Sequence, residues 1–372
     1  VTGAPALLPH ALRHPASMAR LTDEDWDLLV RQAAAAGLLG RLEALARGAG
    51  VLEGLEPRIR HHLQAAATIA AQQQRAVRWE LVQLADVLGD LEGPVVLLKG
   101  AAYAAAELPP AAGRLFSDID LMVPKAQLAK AESALMLAGW ISGHLGDYDQ
   151  RYYRQWMHEI PPLTHLHRQT VIDLHHAILP PTARLKTRPE PIFARAQPLS
   201  GQPRFSVPSP QDLVLHSATH LFHEGEWEHG LRDLVDLDAM LVAFAAAPGY
   251  WQQLLAAAAE LGLGRPLYYG LRYCRMLLGT SVPKDVIEAC PCRPSRAGAA
   301  AMDRLFIPAF STAHHSLRES GAGAAALALY LRSHWLRMPM NLLLPHLTHK
   351  FWQEHVTERF KQDPPGARDV GR

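Results

Sequence analysis

A chain of 372 residues exceeds one typical domain and is long enough to bury a sizeable core. Its composition, 49% hydrophobic and 20% charged, is that of a soluble globular protein, and a formal charge of +1 excludes a broad electrostatic pull toward nucleic acid while leaving room for a local basic patch. Three cysteines (Cys274, Cys290 and Cys292) are too few for a disulfide scaffold, and the last two sit too close for usual zinc spacing. No apolar run approaches the ~18 residues of a membrane span, and no secretory pattern opens the chain, so a cytoplasmic protein with no membrane association is expected.

Residues 1–88 read as an N-terminal helical region. Thr22 and Asp25 have the spacing of a capping box, and from Pro57 to Leu88 a run rich in Ala, Gln, Leu and Arg, without a further glycine or proline, predicts one long helix. The period changes at residue 94. VVLL (95–98) reads as a buried strand, AAYAAAEL (101–108) as a short helix and IDLMV (119–123) as a second strand. KAQLAKAESALMLAGW predicts an amphipathic helix that buries Leu128, Ala131, Leu135 and Ala138 and stops at Gly139. Strands are expected near 155–160 and 170–175. The stretch 180–210, rich in proline and basic residues, reads as a linker with little regular structure. Helical patterns resume at Gln211 and continue almost to the end. The expected organisation is therefore a helical region (1–88), a mixed-sheet core (89–205), a C-terminal helical domain (206–360) and a flexible tail (361–372), in the α+β class.

Chemistry concentrates in the central unit. Residues two apart on a strand share a face, so Asp118 and Asp120 project together while Ile119, Leu121 and Val123 anchor the other side. Paired carboxylates repel unless a cation lies between them, and oxygen ligands suit Mg²⁺ or Mn²⁺. The plainer reading makes one aspartate a turn cap and the other a solvent-facing residue. VIDLHH (171–176) alternates in the same way, placing Asp173 and His175 opposite Ile172 and Leu174, and an adjacent strand would bring Asp173 to the first pair. Lys99-Gly100 at a strand-to-helix turn is suited to an anion, with Lys99 and Arg114 as cationic partners for phosphate oxygens. It is not a Walker A loop.

The succession LLKG-x-x-Y, R-x-x-S-D-I-D-L-M-V, a helix ending in A-G-W, H-E-I, V-I-D-L-H-H, and later PSPQDLVLHSATHLF and LRDLVDL resembles the uncharacterised nucleotidyltransferase family of the DNA polymerase beta-like nucleotidyltransferase superfamily, over about residues 90–245. The resemblance implies a small mixed sheet with three acidic positions, matching Asp118, Asp120 and Asp173, and a helical domain that closes over a nucleotide. It implies a Mg²⁺-dependent or Mn²⁺-dependent enzyme that moves a nucleoside monophosphate from an NTP to a hydroxyl-type acceptor. Small molecules, proteins and RNA ends all remain open as acceptors. Gly100 matches the glycine that opens the phosphate-facing helix. Many superfamily members have serine next, where this chain has Ala101.

Other readings are available. His216 and His220 share a helix face, with His223, Arg232, Asp233 and Asp236 close in sequence, and such parts can build a His/Asp metal-dependent phosphohydrolase. Alternatively this helix lines the nucleotide cleft, with His220 and Asp233 or Asp236 hydrogen bonding there, or it is a satisfied helix junction. A non-catalytic member of the fold is a third reading. Tyr148, Tyr152, Tyr153 and Trp156 offer either a stacking platform or rim packing. Arg184, Lys186, Arg188, Arg195 and Arg204 offer either an RNA-backbone contact or an ordinary exposed loop.

Overall fold

The computed structural model describes residues 7–143, 147–223, 225, 227–311 and 314–343; the expected tail at 361–372 lies outside them. The N-terminal helices are α1 (Leu7–Arg13), α2 (Asp23–Ala35), α3 (Leu39–Gly48) and α4 (Pro57–Val87). The capping box is present: the Thr22 hydroxyl accepts from the Asp25 amide, and the Asp25 carboxylate accepts from the Thr22 amide. At 31 residues α4 is about 46 Å long. Ile59, Leu63, Ala70, Val77, Leu81 and Leu84 form its buried stripe.

The core follows as β1 (Val95–Leu97), α5 (Lys99–Ala105), β2 (Asp118–Met122), α6 (Leu128–Leu137), β3 (Trp140–Ser142), α7 (Asp147–Trp156), β4 (Leu163–His165), β5 (Val171–His175), α8 (Glu190–Arg195), β6 (Gln197–Leu199) and β7 (Gln202–Val207). The strands form one mixed seven-stranded sheet in the order β3-β4-β5-β2-β1-β7-β6. β2 lies antiparallel to β1 and parallel to β5, pairing Ile119 with Ile172, Asp120 with Asp173 and Leu121 with Leu174. Ile119, Leu121, Ile172 and Leu174 are all buried, each contributing about 1.5–3 kcal/mol by leaving water. The opposite face is thereby fixed as the acidic one, since a one-residue slip would drive the aspartates into the apolar core.

Helices complete the chain: α9 (Pro210–His223), α10 (Gly230–Phe244), α11 (Tyr250–Glu260), α12 (Gly264–Tyr273), α13 (Lys284–Glu288), α14 (Arg296–Ala309) and α15 (Ala322–Arg337). Phe222 of α9 packs edge-on against Phe306 of α14, with Trp227, Tyr269 and Tyr273 around them.

Four sequence expectations are corrected. The segment near 155–160 ends the helix α7, and only Glu159 pairs there, in an isolated bridge to His175. Pro161 and Pro162 follow at once and cannot donate to a ladder. The supposed linker at 180–210 instead carries α8 and the β6–β7 hairpin, with β7 parallel to β1 and Phe205 fully buried. Its prolines, Pro198 and Pro203, disguised the strands. β3, three residues directly after a helix-ending glycine, gave too short a pattern to read. Finally, α5 starts at Lys99, so Gly100 lies inside its first turn.

Candidate active site on the acidic face of β2 and β5

Asp118, Asp120 and Asp173 emerge on one face of neighbouring parallel strands, with Asp120 directly opposite Asp173. Asp120 is buried. Its Oδ1 receives Lys99 Nζ at 3.2 Å and His175 Nε2 at 3.1 Å. Burial alone would favour the neutral acid, but the Lys99 charge and the His175 hydrogen bond prevail and hold Asp120 well below the usual carboxylate range. Lys99 is held at φ 42°, in the left-handed region, which is uncommon for a residue with a Cβ.

The other two carboxyls behave oppositely. Burial, then the charges of Asp120 and Glu159, push Asp173 up to about 7. Burial and Asp120 raise Asp118 as well. Ionising all three aspartates together is therefore unfavourable beside the Lys99 and His175 found among the described residues, a cost that a hard divalent cation relieves. The ligand oxygens of the three aspartates do not all lie within 4.8 Å of one another. Adjacent strands lie only ~4.8 Å apart, so side-chain rotation suffices to bring Asp120 and Asp173 onto one ion. The donor set fits Mg²⁺ or Mn²⁺.

His175 faces a second carboxylate. Its Nδ1 lies 3.2 Å from Glu159 Oε2, and His158 Nε2 lies 4.0 Å from the same oxygen. Burial opposes the imidazolium, but the Asp120 hydrogen bond and the Glu159 charge raise the His175 pKa above its ordinary value. Glu159 and His158 were visible in the sequence only as a His-Glu pair between the acidic strands, without a role. His175 was legible as the residue two beyond Asp173.

α9 brings His216 and His220 toward the same place. His216 is buried, and that burial, followed by the nearby charges of Lys99 and His220, brings its pKa down to about 3. His220 helps stabilise the charge on Asp120. Among the described residues, the set of three with metal-ligand spacing is His158, Glu159 and His175, and it includes neither His216 nor His220.

Arg114, Asp233 and Asp236 form a separate cluster. Arg114 Nε lies 2.6 Å from Asp236 Oδ2, Arg114 Nη2 lies 4.0 Å from Asp233 Oδ1, and Arg41 Nη2 approaches Asp236 Oδ1 at 3.8 Å. Arg232 also binds Asp233, at 2.9 Å. Arg41 further donates to the carbonyls of Pro109 and Pro110. This clasp ties α3, the core and α10 together. Burial still pushes the Asp236 carboxyl up against the pull of both guanidiniums, the desolvation penalty of any buried ion pair. Gly100 links clasp and site, because a Cβ there would come 2.8 Å from Phe116 Cδ1 and 2.9 Å from Arg114 Nη1. At Gly40 a Cβ would overlap the Gly113 carbonyl, so α3 and the core touch backbone to backbone.

The basic stretch is largely engaged internally. Arg195 makes a two-pronged pair with buried Asp212, Arg184 stacks on Trp335 and donates to its carbonyl, Lys186 donates to Pro181 and Arg204 to Gly93. Tyr152 meets Trp156 edge-on, as Tyr148 does, an arrangement of rim packing more than an open platform.

A cavity of about 410 Å³ opens beside Asp118, lined also by Gln73, Trp79, Glu80, Phe116 and Arg168. A larger one, about 870 Å³, lies between α12, α13 and α14 and contains none of the candidate residues. No described helix is long and apolar enough to cross a membrane.

No curated protein sequence matches the chain significantly. The family described as "Uncharacterised nucleotidyltransferase" matches residues 22–279, which takes in α2 through α12 and every residue of the acidic face. The chain belongs to this nucleotidyltransferase family.

Proposed function

We propose that the protein is a Mg²⁺-dependent or Mn²⁺-dependent nucleotidyltransferase with a polymerase beta-like core, transferring a nucleoside monophosphate from an NTP to a hydroxyl-type acceptor and releasing pyrophosphate. The observation that carries this reading is the pairing of Asp120 with Asp173, with Asp118 on the same face and both Asp118 and Asp173 made reluctant to ionise by burial and by Asp120.

Asp118, Asp120 and Asp173 would hold the cation. When bound, it would neutralise charge on the phosphates and make the acceptor hydroxyl easier to deprotonate. Asp173 would complete the cation site on the acceptor side and so help activate that hydroxyl. Lys99, whose ammonium already sits at Asp120 and is partly exposed, would turn to a phosphate oxygen, with the backbone at Gly100 beside it. Arg114 would act from beneath, holding Phe116 and Gly100 in place through Asp236, and His220 would face the nucleotide from α9.

The test is release of pyrophosphate from each NTP with Mg²⁺, across pools of small-molecule, protein and RNA acceptors. Activity that persists undiminished in Asp120→Asn would refute the assignment.

A further inference from the structure

Residues 158–160 run alongside β5, joined to it through one isolated bridge. Ile160 N donates to Leu174 O at 3.0 Å, His176 N donates to His158 O at 2.8 Å, and Glu159 bridges His175. This backbone clamp delivers two imidazoles and one carboxylate to a single point. His158 Nε2 and His175 Nδ1 flank Glu159 Oε2 at 4.0 and 3.2 Å, and one ligand atom from each residue lies within 4.8 Å of the other two. Both histidines are buried and Glu159 is partly exposed.

Two imidazoles and a carboxylate, with a fourth position open, form the donor set of catalytic zinc centres, where tetrahedral bonds of ~2.1 Å put ligand atoms about 3.4 Å apart. The observed separations bracket that value. The far nitrogen of His175 is already held by Asp120 at 3.1 Å, the carboxylate–histidine arrangement that orients a metal-bound imidazole. A metal bound here would displace the Nδ1 proton that His175 otherwise shares with Glu159, leaving Nε2–H to donate to Asp120.

We infer that His158, Glu159 and His175 form a site for a transition metal of the zinc type, distinct from the hard-cation site proposed for the three aspartates and joined to it through the His175–Asp120 hydrogen bond. Nitrogen ligands select zinc-type ions, whereas the all-oxygen aspartate set suits Mg²⁺. The inference does not depend on the proposed transferase chemistry. A metal here would fix the His175 tautomer and thereby the orientation of Asp120.

The experiment uses the full chain, stripped with chelator, and titrates it with Co²⁺ as a coloured substitute for Zn²⁺. The expected result is one equivalent bound with the visible absorption of a tetrahedral site, displaced by Zn²⁺ and not by Mg²⁺. Affinity should fall more than ~100-fold in His158→Ala and in Glu159→Gln, beyond the effect of losing an outer-shell partner. Asp118→Asn should keep the Co²⁺ spectrum while losing binding of Mg·NTP, so the two sites fail separately. The inference is overturned if wild type binds no Co²⁺ with this spectrum, or if Glu159→Gln, which preserves shape, binds it as wild type does. In that case His175 is an imidazolium bridging Asp120 and Glu159.

Discussion

Two buried ionic clusters lie on the two sides of Gly100, and they differ in charge balance. In the clasp, Arg41, Arg114 and Arg232 match or exceed Asp233 and Asp236. On the acidic face, Asp118, Asp120, Asp173 and Glu159 outnumber Lys99 and a protonated His175. A balanced cluster is complete as it stands and serves to join elements. An unbalanced one stores repulsion that a ligand relieves, which is the usual condition of a functional site.

The largest expected effect is on the balanced side. Arg114→Ala leaves Asp236 buried beside one distant guanidinium and should cost about 3–5 kcal/mol in denaturant unfolding. A loss near zero would mean that water already reaches Asp236. Gly40→Ala, at the backbone contact with Gly113, should cost about 1–3 kcal/mol without altering nucleotide binding per folded molecule.

pH separates the regions differently. His216 titrates at about 3 in the folded chain but near 6.5 when unfolded, so the unfolded state takes up the proton first. Its contribution to stability is complete above pH 6.5 and is lost as pH falls from there toward 3. His216→Gln should therefore show a shallower decline of stability across that window, measured in chelator. An unchanged slope would show that His216 is hydrated in the folded state.

The smallest stability effect belongs to the acidic face. Asp173→Asn removes one of the repelling charges, so metal-free stability should stay level or rise by up to about 1 kcal/mol while transfer activity disappears. A marked loss of stability would make Asp173 a structural residue.

The contrast also explains what was readable in the sequence. Strand alternation exposed Asp118, Asp120 and Asp173, because apolar partners at Ile119, Leu121, Ile172 and Leu174 fix which side each carboxylate takes. The helical flanks were equally plain, since α4, α10 and α11 bury periodic stripes and α9 and α12 are apolar runs buried on nearly every side. Long-range charge pairing was not. Arg114 reads from the sequence as a phosphate ligand, but its carboxylate partner lies 122 residues away on α10. His158 and Glu159 reach His175 only through an isolated bridge that no local pattern announces. β7 escaped because its pairing with β1 is also nonlocal, and β6 is held only by its hairpin to β7, with a proline in each strand.

The most direct measurement of the central claim is calorimetric titration of the metal-free protein with Mg²⁺ and a non-hydrolysable analogue of each NTP, for wild type, Asp118→Asn and Asp173→Asn. The expected result is a single saturable site for at least one analogue in wild type, requiring Mg²⁺ and absent from both variants, with their folding intact. Failure of every analogue to bind wild type, or binding to Asp118→Asn as tight as to wild type, would contradict the assignment of this face as a metal–nucleotide site.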